Sequence, residues 1–378
     1  MDWSMDQHSL RAVAEEIGAV AGADHLARDA SGEFCEDGWK RLRATGLLGL
    51  PFDKRWGGLG HDLLTTMYVL EGLGYACRDG GFSFSVSTHI VSTGVPLQRF
   101  GSDVLKDRYL PGICDGSIVG AHALTEPEGG SDVMAMRTSA VRDGDEYVLN
   151  GNKAFVTNGP VADVVVVYVR TGKPGSPAAL TALLVERGTP GFTVGEPIAK
   201  MGLRTSPFSE LTFHDCRVPV TNVLGTPGAG FLVMDHVMKW EILCSFSVSV
   251  GEMRHRFERC VDRARTRTQF GQSIGSYQAV SNKIVEMKIG LENSRRWLYE
   301  TGTKVARGES VTVDLAISKL IASESNLNSA LAAVQLFGGY GYTADYGLEQ
   351  DLRNAVAGTI YSGTSDIQRQ RIARILGL

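Results

Sequence analysis

Two short polar stretches of this 378-residue chain hold the residue types best suited to binding a ligand. Residues 125–132 read TEPEGGSD, and residues 153–159 read KAFVTNG. Glycine lets a backbone approach a ligand closely, hydroxyl and amide groups hydrogen-bond a polar edge, and the ring of Phe155 can cover one face. The combination suits a flat, polar heterocycle, although a polar turn followed by a strand is the commoner meaning of such short patterns.

A hairpin signal between the two stretches predicts how they meet. Asp143 and Gly144 are typical turn residues, and they lie between two runs with strand character. The loops at the two ends of a strand pair can be brought together in space. The sequence therefore predicts that both polar stretches contribute to one site.

The character of the chain changes twice along its length. Residues 8–118 carry apolar residues at helical spacing, interrupted by Gly and Pro, whereas residues 119–225 form short β-branched runs. No long helical pattern interrupts the second part, which predicts a compact β domain and not a βαβ sheet. Long helices are predicted again at about 230–265, 275–307 and 311–338, with one apolar face as in a four-helix bundle.

Composition argues against several classes of function. The length allows two or three domains, and a net charge of −4 without a basic run disfavours nucleic-acid binding. The eight histidines show no metal-binding spacing, so no metal site is predicted. The six cysteines form no CxxC pair and are typical of buried free thiols in a reducing compartment. No signal-peptide core or membrane-length apolar run is present, so we expect a cytoplasmic protein without a membrane partner.

Three further motifs follow the two polar stretches: RTQFG at 267–271, QLFGG at 335–339 and YSGTS at 361–365. In this order, the five motifs resemble the acyl-CoA dehydrogenase family of flavoproteins over nearly the whole chain. The resemblance implies an α+β multi-domain fold. Its expected parts are an N-terminal helical domain (1–118), a middle β-barrel-like domain (119–225) and a C-terminal four-helix bundle (226–378).

The same resemblance implies FAD-dependent dehydrogenation of an acyl thioester. Members of the family remove the α-proton with a carboxylate, while the β-hydrogen leaves as hydride to flavin N5. The α-C–H is a very weak acid until the carbonyl oxygen is hydrogen-bonded, so the site needs an oxyanion-type donor set and a carboxylate shielded from water.

By resemblance, two groups of residues hold the cofactor. The flavin ring is expected to contact Leu124, Thr125, Gly130, Ser131, Phe155, Val156 and Thr157. The remainder of FAD is expected to contact Arg267, Gln269, Phe270, Gln278, Gln335, Gly338, Gly339, Thr364 and Asp366. The segment from Gln335 to Gly339 matches one that reaches the FAD of a neighbouring subunit, which implies a homo-oligomer, usually a tetramer. Substrate contacts are expected from Ser131, Ser362 and Gly363.

The motif at 361–365 departs from the family at the catalytic position. Many members have YEGTS there and use the Glu as base, whereas this chain has Ser362. Serine does not take an α-proton unaided at neutral pH. A minority branch, which includes isovaleryl- and long-chain-type enzymes, places the Glu on the first long helix of the C-terminal domain. Counting back from Gly251 leads to Glu241, which is the expected base.

The neighbours of Glu241 leave room for two interpretations. A Glu two residues after Lys239 is more often a surface charge, but the position match and the clustering of buried carboxylates at functional sites favour the base. Ser362 is then expected to keep only a main-chain role, through an N–H that binds the thioester carbonyl. Ile242 stands where many relatives have Arg, which is expected to reshape the thioester or pantetheine path.

The identity of the acyl carrier stays open at this stage. Resemblance to enzymes of secondary metabolism makes an acyl or peptidyl carrier protein the rival of CoA as the thioester partner. The electron acceptor is expected to be an electron-transfer flavoprotein or oxygen. The alternative is a dehydrogenase-like flavoprotein with another chemistry, such as a nitroalkane-oxidase-like or monooxygenase-like reaction.

Overall fold

Residues 2–378 are described by a computed structural model in which helices enclose a β-sheet in the middle of the chain. The first helices are α1 (Met5–Ala21), α2 (His25–Ser31), α3 (Glu36–Thr45), α4 (Leu63–Ala76), α5 (Gly80–Thr88), α6 (Val95–Phe100) and α7 (Asp103–Asp115). A π-helical stretch, His89–Gly94, joins α5 to α6. Side-chain caps fix several of these helix starts, as at Ser4, Asp62 and Ser102.

One sheet forms the middle of the chain. Its strands are β1 (Gly120–Ala123), β2 (Ser139–Asp143), β3 (Glu146–Thr157), β4 (Val164–Arg170), β5 (Leu180–Glu186), β6 (Phe192–Val194), β7 (Phe208–Pro219) and β8 (Val223–Leu224). The order is β6-β7-β3-β2-β4-β5-β8, and β1 pairs in parallel with β4. Antiparallel neighbours dominate, as expected for a sheet without βαβ crossovers.

Strand β4 is buried on both faces because it separates two apolar cores. Val164, Val166 and Tyr168 face a core that includes the N-terminal helices and the first half of the C-terminal domain. Val165, Val167 and Val169 face a second core, enclosed by the sheet itself. The period of two that alternates side chains across a strand explains why the run is continuously apolar.

Three long helices build the C-terminal domain. The elements are α8 (Gly230–Thr266), β9 (Thr268–Gln269), β10 (Gln272–Ser273), α9 (Gln278–Ala306), α10 (Thr312–Phe337), α11 (Gly339–Tyr342), α12 (Leu348–Ala357) and α13 (Ser365–Ile375). The three predicted long helices are confirmed, and the helix–sheet–helix order confirms the predicted fold class. The short hairpin β9–β10 was not predicted.

Helix α8 crosses α4 at very short range. A Cβ atom on Gly251 would clash with the carbonyl oxygen of Glu71, and one on Gly74 would clash with that of Val248. The two glycines therefore allow backbone-to-backbone packing, and the middle of α8 is buried on all sides as a result. This crossing fixes the position of Glu241, which lies less than three turns before Gly251 on the same helix.

Composition led to expectations about the cysteines, metal binding and membrane-spanning helices. All six cysteines are buried free thiols, as predicted. Among residues 2–378, no group of His, Cys, Asp and Glu side chains is arranged to hold a metal ion. No described helix is both long and apolar enough to cross a membrane.

Candidate active site

The two polar stretches meet, as the hairpin signal predicted. The backbone N–H of Ala154 donates to the carbonyl oxygen of Thr125 at 2.9 Å, and Nζ of Lys153 donates to that of Leu124 at 3.1 Å. Strands β2 and β3 form the intervening hairpin, which pairs Asp143 with Glu146, so the turn lies one residue later than expected.

A buried ion pair closes the first loop. Nζ of Lys153 donates to Oε1 of Glu126 at 2.9 Å, and the carboxylate also accepts the backbone N–H groups of Arg137 and Thr138 at 2.7 and 2.8 Å. Burial lowers the pKa of Lys153 to about 8, although Glu126 opposes the shift. Burial acts to raise the pKa of Glu126, but Lys153 and the hydrogen bonds lower it below its usual value. Glu126 therefore ties the first loop to Lys153 and to the backbone of residues 137 and 138. Sequence analysis gave this residue no individual role.

An exposed aromatic face lies beside this loop. Phe155 has positive φ (57°) and is 58% exposed, and its ring centroid is 5.8 Å from that of Phe208. Thr125 and Thr157 are half-buried, and Ser131 is exposed. An aromatic surface flanked by two hydroxyls fits the edge and face of a flavin ring. The side chain of Val156 belongs to the core enclosed by the sheet, which leaves only its main chain for a cofactor.

The carboxylate of Glu241 lies in a buried polar cluster. Only 8% of the residue is exposed. Oε1 accepts the hydroxyl of Ser362 at 2.5 Å, and Oε2 accepts the hydroxyl of Ser92 at 3.2 Å. Nε2 of His122 is 3.5 Å from Oε2. The two hydroxyl donors fix the orientation of the carboxylate, as a base that must reach one carbon atom requires.

Ser92 reaches Glu241 from the π-helical stretch between α5 and α6. Such wide turns interrupt α-helices frequently at functional sites, because they change the direction in which a side chain points. The neighbouring Thr93 donates its hydroxyl to the carbonyl oxygen of Ala121 at 2.9 Å, which ties this stretch to β1. Sequence analysis missed Ser92, since no sequence pattern marks the π-helical turn.

The loop before α13 presents Ser362 in a left-handed conformation. Its φ is 54°, a region that non-glycine residues seldom occupy, and Gly363 follows with φ 85°. The buried side chain of Gln368 donates to the carbonyl oxygens of both residues, at 2.9 and 3.3 Å, and the hydroxyl of Thr364 caps α13. These contacts hold the strained loop in place.

The hydroxyl of Ser362 corrects one expectation. Ser362 was expected to act through its main chain alone, but its side chain donates to Glu241. Within residues 2–378, none accepts the backbone N–H of Ser362, so this donor remains free for a thioester carbonyl.

His122 and Tyr168 lie behind the carboxylate on adjacent strands. Strand pairing sets His122 opposite Val166, two residues before Tyr168, and the two rings meet edge to face at 6.1 Å. Burial lowers the pKa of His122, although Glu241 opposes this, so the imidazole is neutral at pH 7. Burial, and then Glu241, raise the pKa of Tyr168. By resemblance, residues 122–131 surround the flavin ring, but sequence analysis gave His122 no role of its own; an imidazole in the small-residue run Gly-Ala-His-Ala, close before Thr125, was the available signal.

The other expected cofactor residues lie at the far end of α8. Arg267, Gln269 and Phe270 belong to the β9–β10 hairpin, whose exposed tip is Phe270. Gln278 begins α9. Gln335 lies in the last turn of α10, Gly338 caps that helix, and Gly339 begins α11. This segment lies near the last turns of α8, where Arg263 is 5.3 Å from the ring of Phe337. Twenty-five helical residues separate Glu241 from Thr266, which is about 38 Å. One chain therefore does not bring these residues to Thr125, whereas Thr364 and Asp366 stand beside the Ser362 loop.

Comparison with known proteins decides the family. The N-terminal, middle and C-terminal domain profiles of acyl-CoA dehydrogenases match residues 4–117, 121–216 and 228–377. The chain belongs to the acyl-CoA dehydrogenase family. The similar L-prolyl peptidyl-carrier-protein dehydrogenase of Serratia sp. is 40% identical over 340 residues, which are 90% of this chain and 88% of that protein. The corresponding enzyme of Pseudomonas fluorescens is 37% identical over 366 residues, 97% and 95% of the two chains.

Solved structures of acyl-CoA dehydrogenase relatives agree with this assignment. The crystal structure of the prolyl acyl carrier protein oxidase AnaB matches with a TM-score of 0.96 and 38% identity over 100% of both chains. An FAD complex of PigA matches with a TM-score of 0.97 and 37% identity, covering 100% of this chain and 99% of that one. This acyl-CoA dehydrogenase is therefore an FAD-dependent oxidoreductase that dehydrogenates an acyl thioester.

Proposed function

We propose that this acyl-CoA dehydrogenase oxidises an aminoacyl group of the prolyl type, held as a thioester on a peptidyl carrier protein, with Glu241 as base. The observation that carries the proposal is the enclosed carboxylate of Glu241, which meets Ser362 at 2.5 Å. Position 362, where many relatives have Glu, and the carboxylate of Glu241 on α8 therefore lie at the same point.

The side chains around the base define the proton step. Glu241 takes the α-proton on its carboxylate, which the hydroxyls of Ser362 and Ser92 hold in place. The free backbone N–H of Ser362 binds the thioester carbonyl and stabilises the negative charge that develops on its oxygen. Phe155, Thr125 and Thr157 would hold the flavin of FAD, which would supply the acceptor for the hydride from the β-carbon.

Two observations support an aminoacyl group over a fatty acyl chain. Both reported enzyme relatives act on an L-prolyl group on a peptidyl carrier. Around Glu241, the chain places Ser92, His122 and Ser362, whereas a saturated hydrocarbon gains nothing from such polar neighbours.

The test is anaerobic flavin reduction by four thioesters: prolyl and butyryl groups, each on a peptidyl carrier protein and on CoA. Prolyl carrier protein should bleach the flavin fastest. Faster bleaching by butyryl-CoA would contradict the proposed acyl group, and equal rates for prolyl-CoA and prolyl carrier protein would contradict the proposed carrier.

We also propose a homo-oligomer, of tetrameric form, in which each FAD contacts two subunits. The separation between Thr125 and the segment from Gln335 to Gly339 supports this, because one chain does not bring them together. A Cβ atom at Gly339 would meet no atom of its own chain within 4 Å. Gly339→Leu should therefore leave the apoprotein fold intact but reduce FAD bound per subunit. Full FAD occupancy in this variant, or a monomer with bound FAD in sedimentation, would contradict the shared site.

The cellular compartment and the electron acceptor are further parts of the proposed function. Six buried free thiols are consistent with a reducing compartment, and we propose a cytoplasmic location. The electron acceptor is an electron-transfer flavoprotein or oxygen, and these are separated by the rate at which the reduced flavin reoxidises in air with and without an added electron-transfer flavoprotein.

A further inference from the structure

His122 shares the pocket of the catalytic carboxylate but has no part in the proton step described above. Its side chain is 16% accessible, and that of Glu241 is 11% accessible. Nδ1 of His122 is enclosed without a hydrogen-bond partner. The accessible part of the ring therefore lies on the side of Nε2, which faces Oε2 of Glu241 at 3.5 Å.

That distance is too long for a strong hydrogen bond between Nε2 and the carboxylate. Within the described residues, Nε2 has no other partner, so the imidazole keeps one unused hydrogen-bonding position beside the base. A neutral imidazole nitrogen can either accept an N–H or donate its own proton to a lone pair. Burial keeps the ring neutral by lowering its pKa, so both possibilities remain at neutral pH.

The geometry of α-proton removal places a substituent of the reacting carbon at this position. Glu241 must approach Cα to about hydrogen-bond distance, or about 3 Å, for proton transfer. Since Nε2 is 3.5 Å from Oε2, an atom bonded directly to Cα can come within reach of Nε2 while Cα faces the carboxylate. In an aminoacyl thioester, one such atom is nitrogen, whereas in a fatty acyl thioester both neighbours are carbon.

We propose that His122 recognises the nitrogen bonded to the reacting carbon and so selects aminoacyl over simple acyl thioesters. The inference rests on the proposed function and adds the residue that reads the acyl group. A carbon in place of the nitrogen leaves Nε2 in an enclosed site without a partner. The cost of an unsatisfied buried polar group corresponds to roughly 10- to 100-fold in kcat/KM.

The experiment compares prolyl with cyclopentanecarbonyl thioesters on one peptidyl carrier protein, because the two rings differ at the nitrogen position. Wild-type enzyme should reduce its flavin about 10- to 100-fold more efficiently with prolyl. His122→Leu should lose most of this discrimination, because it takes the partner from the prolyl nitrogen and also removes the Nε2 atom that the carbocycle leaves unsatisfied. His122→Gln keeps a hydrogen-bonding group and should retain part of it.

His214→Leu is the matched control, since it makes the same change at an imidazole that is 87% exposed, and its discrimination should equal that of wild type. Equal efficiencies for the two rings in wild-type enzyme would overturn the role of His122, even if His122→Leu failed to fold. Unchanged discrimination in a folded, FAD-loaded His122→Leu would also overturn it. Failure of prolyl carrier protein to reduce wild-type flavin, while butyryl-CoA succeeds, would instead contradict the proposed function itself.

Discussion

Helix α8 carries two glutamates whose side chains lie inside the protein, Glu241 and Glu252, and their surroundings differ in kind. Glu241 has two hydroxyl donors and an imidazole within 3.5 Å of its carboxylate oxygens. Glu252 lies three turns further along, where it borders two adjoining cavities, one of which Tyr361 also lines. Burial raises the pKa of Glu252 to about 7; Arg256 and Asn326 oppose the shift, and Asp351 adds to it.

The difference shows that burial alone does not identify a base. A carboxylate that must accept a proton from carbon has to be charged and held by donors that survive the reaction. Glu241 has such donors in Ser362 and Ser92, and it faces the loop that also offers a free N–H. Burial raises the pKa of Glu252 to about 7, and the polar groups around this carboxyl are Arg256, Asp351 and Asn326, not serine hydroxyls.

Moving the base across the contact between Glu241 and Ser362 should recover part of the activity that Glu241→Gln loses. Because the two side chains converge at 2.5 Å, a carboxylate at position 362 should reach the same α-carbon. Glu241→Gln/Ser362→Glu should reduce flavin about 10- to 100-fold faster than Glu241→Gln, a part of the usual contribution of a general base. Single-turnover absorbance at the flavin band measures this. No gain, despite bound substrate, would show that the two positions do not serve one carbon.

A smaller loss is expected when the hydroxyl of Ser362 is removed. Ser362→Ala leaves the backbone N–H in place but takes a donor from the charged carboxylate, which should cost about tenfold in the rate of flavin reduction. Ser92→Ala removes the longer hydrogen bond, of 3.2 Å, and should cost less. Stopped-flow reduction of both variants compares them; an unchanged rate in Ser362→Ala would restore the main-chain role expected from sequence.

The smallest effect on catalysis, and a distinct effect on stability, should follow from Glu252→Gln. The pKa of Glu252 in the folded protein is about 7, above the usual value, so the folded state holds a proton that the unfolded chain has lost. Stability from this group is therefore present below about pH 4.5 and is lost as pH rises through 7. The variant should match wild type near pH 5 but be more stable at pH 8, by about 1–3 kcal/mol.

Thermal melting of the FAD-bound enzyme at both pH values tests this, with exposed Glu286→Gln as the matched control. Equal melting temperatures of wild type and Glu252→Gln at pH 8 would contradict the raised pKa of Glu252. A larger difference in melting temperature at pH 5 than at pH 8 would contradict it as well.

Much of this architecture could be predicted from the sequence because it rests on local patterns. Helical spacing predicted α8, α9 and α10, and the hairpin signal predicted that the stretches 125–132 and 153–159 would come together. The motif order predicted Glu241 as the base in place of a carboxylate at 362, and that assignment remains a prediction.

The rest of the site depends on contacts that no local pattern carries. Ser92 reaches Glu241 through a π-helical turn, and His122 does so through the parallel pairing of β1 with β4. The hydroxyl of Ser362 is aimed by a left-handed backbone that Gln368 holds. The expected cofactor segments at the far end of α8 are separated from Glu241 by the length of that helix. This separation can be recognised only when the whole fold is known.

The central claim, that Glu241 is the base and Glu252 is not, is tested most directly by single-turnover flavin reduction in Glu241→Gln and Glu252→Gln with the same prolyl carrier protein. Both substitutions keep side-chain volume and remove one carboxyl group. Glu241→Gln should still bind substrate and perturb the flavin spectrum, but reduction should slow by about 10²- to 10⁴-fold. Glu252→Gln should reduce flavin at nearly the wild-type rate. Reduction at the wild-type rate in Glu241→Gln would show that another group removes the α-proton.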